Sequence, residues 1–312
     1  MKTRNYSWYG LLMLLFVGLG CDSTVDSIHS DEIVVESYLV ANEPMPPVWV
    51  SRSIALGSTF NPESVAVRDA SVVIYVLNGE GVKTQTIRFE ESGDEPGAYR
   101  STTDEVVQAG KTYRLEVQSG LDAELVWAET TVPADFELIE PSATEIAYKD
   151  PAQFSMLVTQ SKVEGGQSVF VFTMESLEPT LHNLIPVYRE FVYDEEITDL
   201  DTFEWSVDDF KQLLVFTSPP IFEGNYEVFS DGTLRVKLPW FAVAFYGPLK
   251  VTMTILDKNL YDFQRYQQSQ QGGSTLSPGE IPNVLDHIEN GRGLFGSTSR
   301  VSAIVQILKE AS

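Results

Sequence analysis

From Ile33 to Pro133 the chain runs in short apolar-polar alternations rich in Val, Ile, Tyr and Thr, broken by Gly, Pro, Asn and Asp at hairpin intervals. A period of two over four to eight residues marks a strand with one buried face. Seven strands are expected, at Ile33–Val40, Val48–Ser53, Ser71–Leu77, Thr84–Glu90, Ala98–Thr102, Tyr113–Gln118 and Leu125–Val132. The clearest is Tyr113-Arg114-Leu115-Glu116-Val117, in which Tyr113, Leu115 and Val117 share a face. Asn78-Gly79 offers the positive φ angles of a hairpin turn. A half-apolar sheet must cover its face with another, so a two-sheet sandwich is expected.

The text around these strands looks like the immunoglobulin or transthyretin-type modules of exported bacterial proteins. It is carried by Val67-Arg68-Asp69-Ala70-Ser71-Val72-Val73-Ile74, by Gly97-Ala98-Tyr99 and by Gly110-Lys111-Thr112-Tyr113. In it the glycines turn the chain and the tyrosines pack.

Pro133, Asp135 and Glu140-Pro141-Ser142 suggest a boundary, and the remainder is again mainly β. Strands are expected at Gln153–Gln160, Ser168–Glu175, Val187–Tyr193, Glu227–Ser230, Thr233–Leu238, Leu249–Leu256 and Ser302–Leu308, with Asp231-Gly232 the best hairpin signal in the chain. Two helices interrupt the pattern. Ser206-Val207-Asp208-Asp209 has capping-box spacing before Phe210–Leu214. Asp257 can cap a longer helix through Gln267, with Leu260, Phe263 and Tyr266 or Gln267 on one face, and that face is expected to lie on the second sheet. The fold class is thus mainly β: a sandwich, then a second β-rich domain with one or two short helices.

The head of the chain has a different pattern. Lys2 and Arg4 precede an apolar run from Tyr9 to Gly20, which is shorter than the ~20 residues that cross a bilayer and reads as the core of a signal peptide. Gly18-Leu19-Gly20-Cys21 resembles the bacterial lipobox, with Gly18 where leucine is commonest and Leu19 where a small residue is common. Residues 1–20 are read as the signal peptide and Cys21 as the lipidated first residue of the mature chain. Its several acyl chains, at ~0.8 kcal/mol per buried CH₂, would give a stable anchor. With the one cysteine so used, no thiol is left for a disulfide, a nucleophile or a metal. Residues 21–31 are polar and unpatterned and read as a tether. The sandwich is assigned to 32–135 and the second domain to 136–312.

Charge narrows the partners. The full chain carries −24, and removing residues 1–20 takes away two cations and no anion, so the mature chain carries −26. Such a charge repels phosphate backbones and anionic lipid heads. Nucleic acid is excluded as a partner, and the membrane contact is the acyl group on Cys21.

The search for chemistry returns little. His29, His182 and His287 lie far apart, none in a metal-binding spacing, and His182 and His287 are expected to be exposed. Ser-nucleophile and phosphate-loop motifs are absent. No catalytic residue, cofactor or metal site is assigned, and the chain is read as a non-enzyme. Asp194-Glu195-Glu196 with Asp199 and Asp201 reads as a solvated loop or a calcium site, and it lacks the alternation of an EF-hand. Trp205, Trp240, Phe241, Phe245 and Tyr246 are either core or a sugar-stacking platform, with Trp205, Trp240 and Tyr246 the ligand-contact candidates.

The most distinctive text is Ile281-Pro282-Asn283-Val284 through Asn290-Gly291-Arg292-Gly293-Leu294-Phe295-Gly296. It resembles the closing motif of a Bacteroidota lipoprotein family called domain of unknown function 4249, which has a Tyr-rich helix like Leu260–Gln267 before it. Val34-Val35-Glu36-Ser37-Tyr38, Val48–Ser53, Val67–Ala70 and Val132-Pro133 match the family's first domain. Asn290 replaces a common glycine, which an Asn in the left-handed region can do. The glycines are expected to form a tight turn before the last strand. The resemblance implies an outer-membrane lipoprotein often encoded beside TonB-dependent transporters, and no catalytic residue. The expected function is a non-enzymatic accessory or binding partner of such a transporter. The alternatives are a carbohydrate-binding or adhesive module with a glycan or small-molecule ligand, and a hydrolase using a hidden carboxylate pair.

Overall fold

The computed structural model describes residues 31–55, 58–59, 61–120, 123–161, 167–192, 213–271 and 287–309. The seven N-terminal strands form close to where the alternation places them: β1 (Ile33–Val40), β2 (Val48–Arg52), β3 (Ser71–Leu77), β4 (Lys83–Glu91), β5 (Ala98–Ser101), β6 (Thr112–Gln118) and β7 (Val126–Thr131). One helical turn, α1 (Pro62–Val65), sits between β2 and β3, with Asn61 capping the Glu63 N–H at 3.0 Å. The inward residues Val35 and Leu39, Val72 and Ile74, and Tyr113, Leu115 and Val117 join one core. Tyr99 is buried in it and still satisfies its hydroxyl, which accepts from Ala70 N at 2.9 Å and donates to Val67 O at 2.8 Å. Gly97 and Gly110 turn the chain at φ 78° and 71°. The expected turn after β3 holds with a shifted centre. Asn78 takes part through its side-chain oxygen, and Gly81, not Gly79, adopts the positive φ, at 77°.

The second half contains β8 (Leu138–Pro141), β9 (Glu145–Ala147), β10 (Ser155–Val158), β11 (Val169–Ser176), α2 (Pro186–Val192), β12 (Val215–Thr217), β13 (Ile221–Phe222), β14 (Glu227–Val228), β15 (Leu234–Lys237), β16 (Gly247–Leu256), α3 (Lys258–Gln271), β17 (Ile288–Glu289) and β18 (Arg292–Leu308). Two expectations are corrected. The run from Val187 is a helix rather than a strand, because Pro186 at its first position has no N–H to leave unpaired and has its φ already set. The last strand starts ten residues before Ser302, at Arg292, and takes the glycine-rich motif into the sheet. The capping box at 206–209 lies outside the described residues. The Asp231-Gly232 hairpin forms between β14 and β15, with Gly232 at φ 85° and Asp231 Oδ1 accepting from the Thr233 N–H and hydroxyl.

The strands form one large sheet in the order β12-β11-β16-β18-β1-β2-β5-β4-β3-β6-β7-β17, with β13 and β9 added at β11 and β18, and a four-stranded sheet β14-β15-β10-β8. β18 joins the two halves. Its first part pairs parallel with β1, from Val34↔Arg292 to Val40↔Thr298, and its second part pairs antiparallel with β16. One face of this strand supplies Phe295 to the first core and Ala303, Val305 and Ile307 to the second, where they meet Phe170, Phe172, Met156 and Val236.

The glycine motif is therefore a packing device more than a turn. The turn itself falls on Asn290, at φ 60°, as expected for an Asn in that place. Inside the strand, a Cβ on Gly293 would lie 2.0 Å from Val35 O, and one on Gly296 would lie 2.5 Å from Leu260 Cγ of α3. Gly293 thus lets β1 approach β18, and Gly296 leaves the hollow that Leu260 fills. The apolar face of α3 rests on the sheet through Leu260 with Val171, Leu256 and Leu294.

Candidate functional site

Asp257 follows β16 directly and caps α3, as its position in the sequence predicts, with Oδ1 accepting from Leu260 N at 2.9 Å. The cap does more than close a helix. Its other oxygen accepts from the Thr130 hydroxyl of β7 at 2.5 Å, a short contact of the kind an ionised acceptor gives. With its proton so committed, Thr130 accepts from Ser297 Oγ of β18 at 2.6 Å. Asn259, two residues along, spends both amide hydrogens on backbone carbonyls, Glu129 O of β7 at 2.7 Å and Phe295 O of β18 at 2.8 Å. One helical start therefore bridges two strands, standing in for the ladder bonds β7 and β18 do not make with each other at that level. Burial pushes the Asp257 carboxyl above its ordinary pKa, against the opposing pull of Thr130 and the N–H groups of Leu260, Ser297 and Asn259.

One turn further on, the buried Asp262 accepts from Lys258, four residues earlier, and lies 2.9 Å from His287 Nε2. His287 is thus half-buried and paired, whereas His182 is exposed as expected.

This polar cluster ties segments 127 and 167 residues apart in the chain. Its chemical capacity is that of a clasp. Ser297 is 0% and Thr130 3% exposed, so no substrate reaches either hydroxyl, and the imidazole of His287 is engaged with a carboxylate rather than a nucleophile. Asp257 was legible in the sequence as a cap, but Thr130, Asn259 and Ser297 carry no sequence signal, because each acts through partners that only the fold brings near. Among the described residues no group of three or more His, Cys, Asp or Glu side chains is arranged to hold a metal ion.

The aromatic candidates form a corner of the second half. Trp240 opens a short 3-10 turn, Trp240–Ala242, and its indole N–H donates to Asp150 O at 3.2 Å. The Tyr148 ring meets Trp240 at 5.5 Å and Tyr246 at 6.1 Å, both edge to face. Trp240 and Tyr246 are half-buried and pack on the second core, and Phe245 is buried. Phe241 is the exposed ring, at 68%, touching Phe216 edge to face at 5.7 Å. Trp205, Cys21, His29 and the acidic cluster 194–201 lie outside the described residues.

Across the outer face of the first half, Lys83 lies 3.7 Å over Tyr75 and Arg114 lies 3.9 Å over Trp127. Both cations also bond Glu116, at 2.7 and 2.8 Å. Burial acts to raise the Glu116 carboxyl, but those hydrogen bonds prevail and hold it below the usual range.

Among solved structures, the chain is similar to trypsin-activated alpha-2-macroglobulin from Escherichia coli, at 11% identity and a TM-score of 0.25 over 89% of this chain and 16% of that one. It is also similar to a tetra-tandem repeat in the extending region of a large adhesion protein, at 11% identity and a TM-score of 0.21 over 88% of this chain and 49% of that one. The chain thus spans less than half the length of either. Comparison with curated proteins returns no match. The match to a family model is of another order, running from Cys21 to Ile304 and taking in the strands, the clasp and the glycine motif together. By that span the chain belongs to the family described as domain of unknown function (DUF4249).

Proposed function

We propose that this protein is an exported lipoprotein, held at the outer membrane by acyl chains on Cys21, that acts without catalysis as an accessory or binding partner of a TonB-dependent transporter. The observation that carries the reading is the order of the first twenty-one residues: two cations, a short apolar run, then Gly20-Cys21. The family span opens at that same cysteine. Support for a binding role is the build behind the tether, in which one strand braces two cores and the buried Thr130, Asp257, Asn259 and Ser297 are taken up by the clasp. Rigid sheets with loops at their ends recognise partners by surface fit. The aromatic corner gives less support to a sugar platform, because Trp240 and Tyr246 turn their edges and faces toward Tyr148.

The test is a crosslinking pull-down from native membranes with the lipidated chain as bait, beside a Cys21→Ser variant. The expected result is recovery of a TonB-dependent barrel by the lipidated chain and release of Cys21→Ser from the membrane fraction. Retention of Cys21→Ser in the membrane with no barrel recovered would overturn both anchor and partner and redirect the search to glycans.

A further inference from the structure

β18 has an open window in one of its edges. Strand residues direct N–H and C=O alternately to their two neighbours, and two bonds fix the alternation here. Ser297 O accepts from Asp257 N on the β16 side, and Thr298 O accepts from Ala41 N on the β1 side. Even-numbered residues therefore face the edge that β1 occupies, and Gln306 confirms this by donating to Thr144 O at the start of β9 on that same edge. No register shift interrupts the pairing with β16. β1 ends its pairing at Thr298, and β9 begins at Gln306. Between them the N–H and C=O groups of Arg300, Ser302 and Ile304 have no backbone partner among the described residues. The three side chains are exposed, Ile304 at 59%, which is high for a residue flanked by strands on both sides and fits one bare edge.

Six alternating donors and acceptors in a row complement an extended polypeptide and no other class of ligand as well. The slot is short, eight residues of strand or ~26 Å between its closed ends. That length excludes a second copy of this chain pairing through β18, because its seventeen-residue strand would run into β1 and β9. We infer that the β18 edge at Arg300, Ser302 and Ile304 is a docking slot for a short extended segment of another protein, seated as an added strand between β1 and β9. The inference stands on backbone geometry, so it holds whether or not the partner is a transporter.

Two measurements test it. Hydrogen exchange on the isolated lipidated chain should show the amides of Arg300, Ser302 and Ile304 exchanging on the order of a hundredfold faster than those of Val301, Ala303 and Val305, which face β16. Protection of the even amides without a partner would overturn the slot. Next, a photo-reactive benzoylphenylalanine in place of Ile304, with one in place of Phe241 as control, is irradiated in native membranes and the adducts are mapped. The expected result is one recurrent segment attached at 304 and not at 241. Ser302→Pro removes an N–H that no internal bond uses, so the variant should keep its melting temperature within a few degrees while the adduct falls about tenfold. Undiminished adducts in a folded Ser302→Pro variant, adducts scattered over many proteins, or no adduct at 304 would each overturn the proposal. A single segment from a protein other than a barrel would sustain the slot and sink the transporter reading.

Discussion

Asp257 is a carboxylate whose burial and bonds pull in opposite directions. Four groups stabilise its ionised form, yet desolvation outweighs them and its pKa stands above the ordinary 3.8. Below 3.8 the carboxyl is neutral in both folded and unfolded chains. Between 3.8 and the folded value the native state holds more protons than the unfolded one, so stability falls as pH rises through that window and then levels. Asp257→Asn keeps an oxygen to cap Leu260 N and cannot ionise. The stability difference between wild type and Asp257→Asn, measured by urea unfolding at a series of pH values, should therefore shift in the variant's favour as pH rises from 3.8 and then become constant. A flat difference across the series would mean that the carboxyl does not titrate within the clasp. Asp257→Ala should lose ~1–2 kcal/mol for the cap, with a further cost for the stranded Thr130 hydroxyl.

Elements show where sequence reading succeeds and why it stops. β1, β3 and the cap of α3 were legible because they depend on local pattern: a period of two, or an Asp before a helical face. The fate of β18 was not. Its glycines look like a turn in the sequence, and only the 2.0 Å approach of a would-be Gly293 Cβ to Val35 O, 258 positions earlier, explains them as a parallel seam. The run from Val187 failed for a different reason, since the conformation set by Pro186 overrode its apolar content. The same seam predicts what happens to a fragment. Residues 32–135 hold the seven strands assigned to the first domain, but their core is completed by Ile288 and Phe295. Expressed alone, 32–135 should give poorly dispersed amide resonances and no cooperative melt, and a fragment extended by a linker to 287–300 should regain both. Phe295→Ala in the whole chain should cost ~3–5 kcal/mol. A well-folded 32–135 fragment would show that the parallel seam adds to a finished unit instead of completing it.

The whole molecule is governed by a surplus of negative charge that its fold does nothing to remove. With 45 acidic side chains and 21 Lys and Arg, a net surplus of 24 negative charges remains however the ion pairs are drawn. The ion pairs between β1 and its surroundings, Arg292 with Glu32 and Arg300 with Glu43, join half-exposed groups in water. Each such pair is worth ~1 kcal/mol or less and weakens in salt. The repulsion among the remaining carboxylates is longer in range and also screened, over ~10 Å at 0.1 M and ~3 Å at 1 M. Two effects of opposite sign thus respond to the same variable, and the net charge decides between them: the surplus of 24 negative charges leaves more repulsion for screening to relieve than attraction for it to remove. The melting temperature of the chain at pH 7 should rise with sodium chloride between 0.05 and 0.5 M, by ~2–5 °C if the relief is about 1–2 kcal/mol for a domain pair of this size. Potassium chloride should give the same rise, because screening ignores the identity of a monovalent cation. A rise with calcium chloride at millimolar concentration, far beyond what ionic strength provides, would instead identify bound cations among the acids. A fall with sodium chloride would mean that the local pairs outweigh the global field.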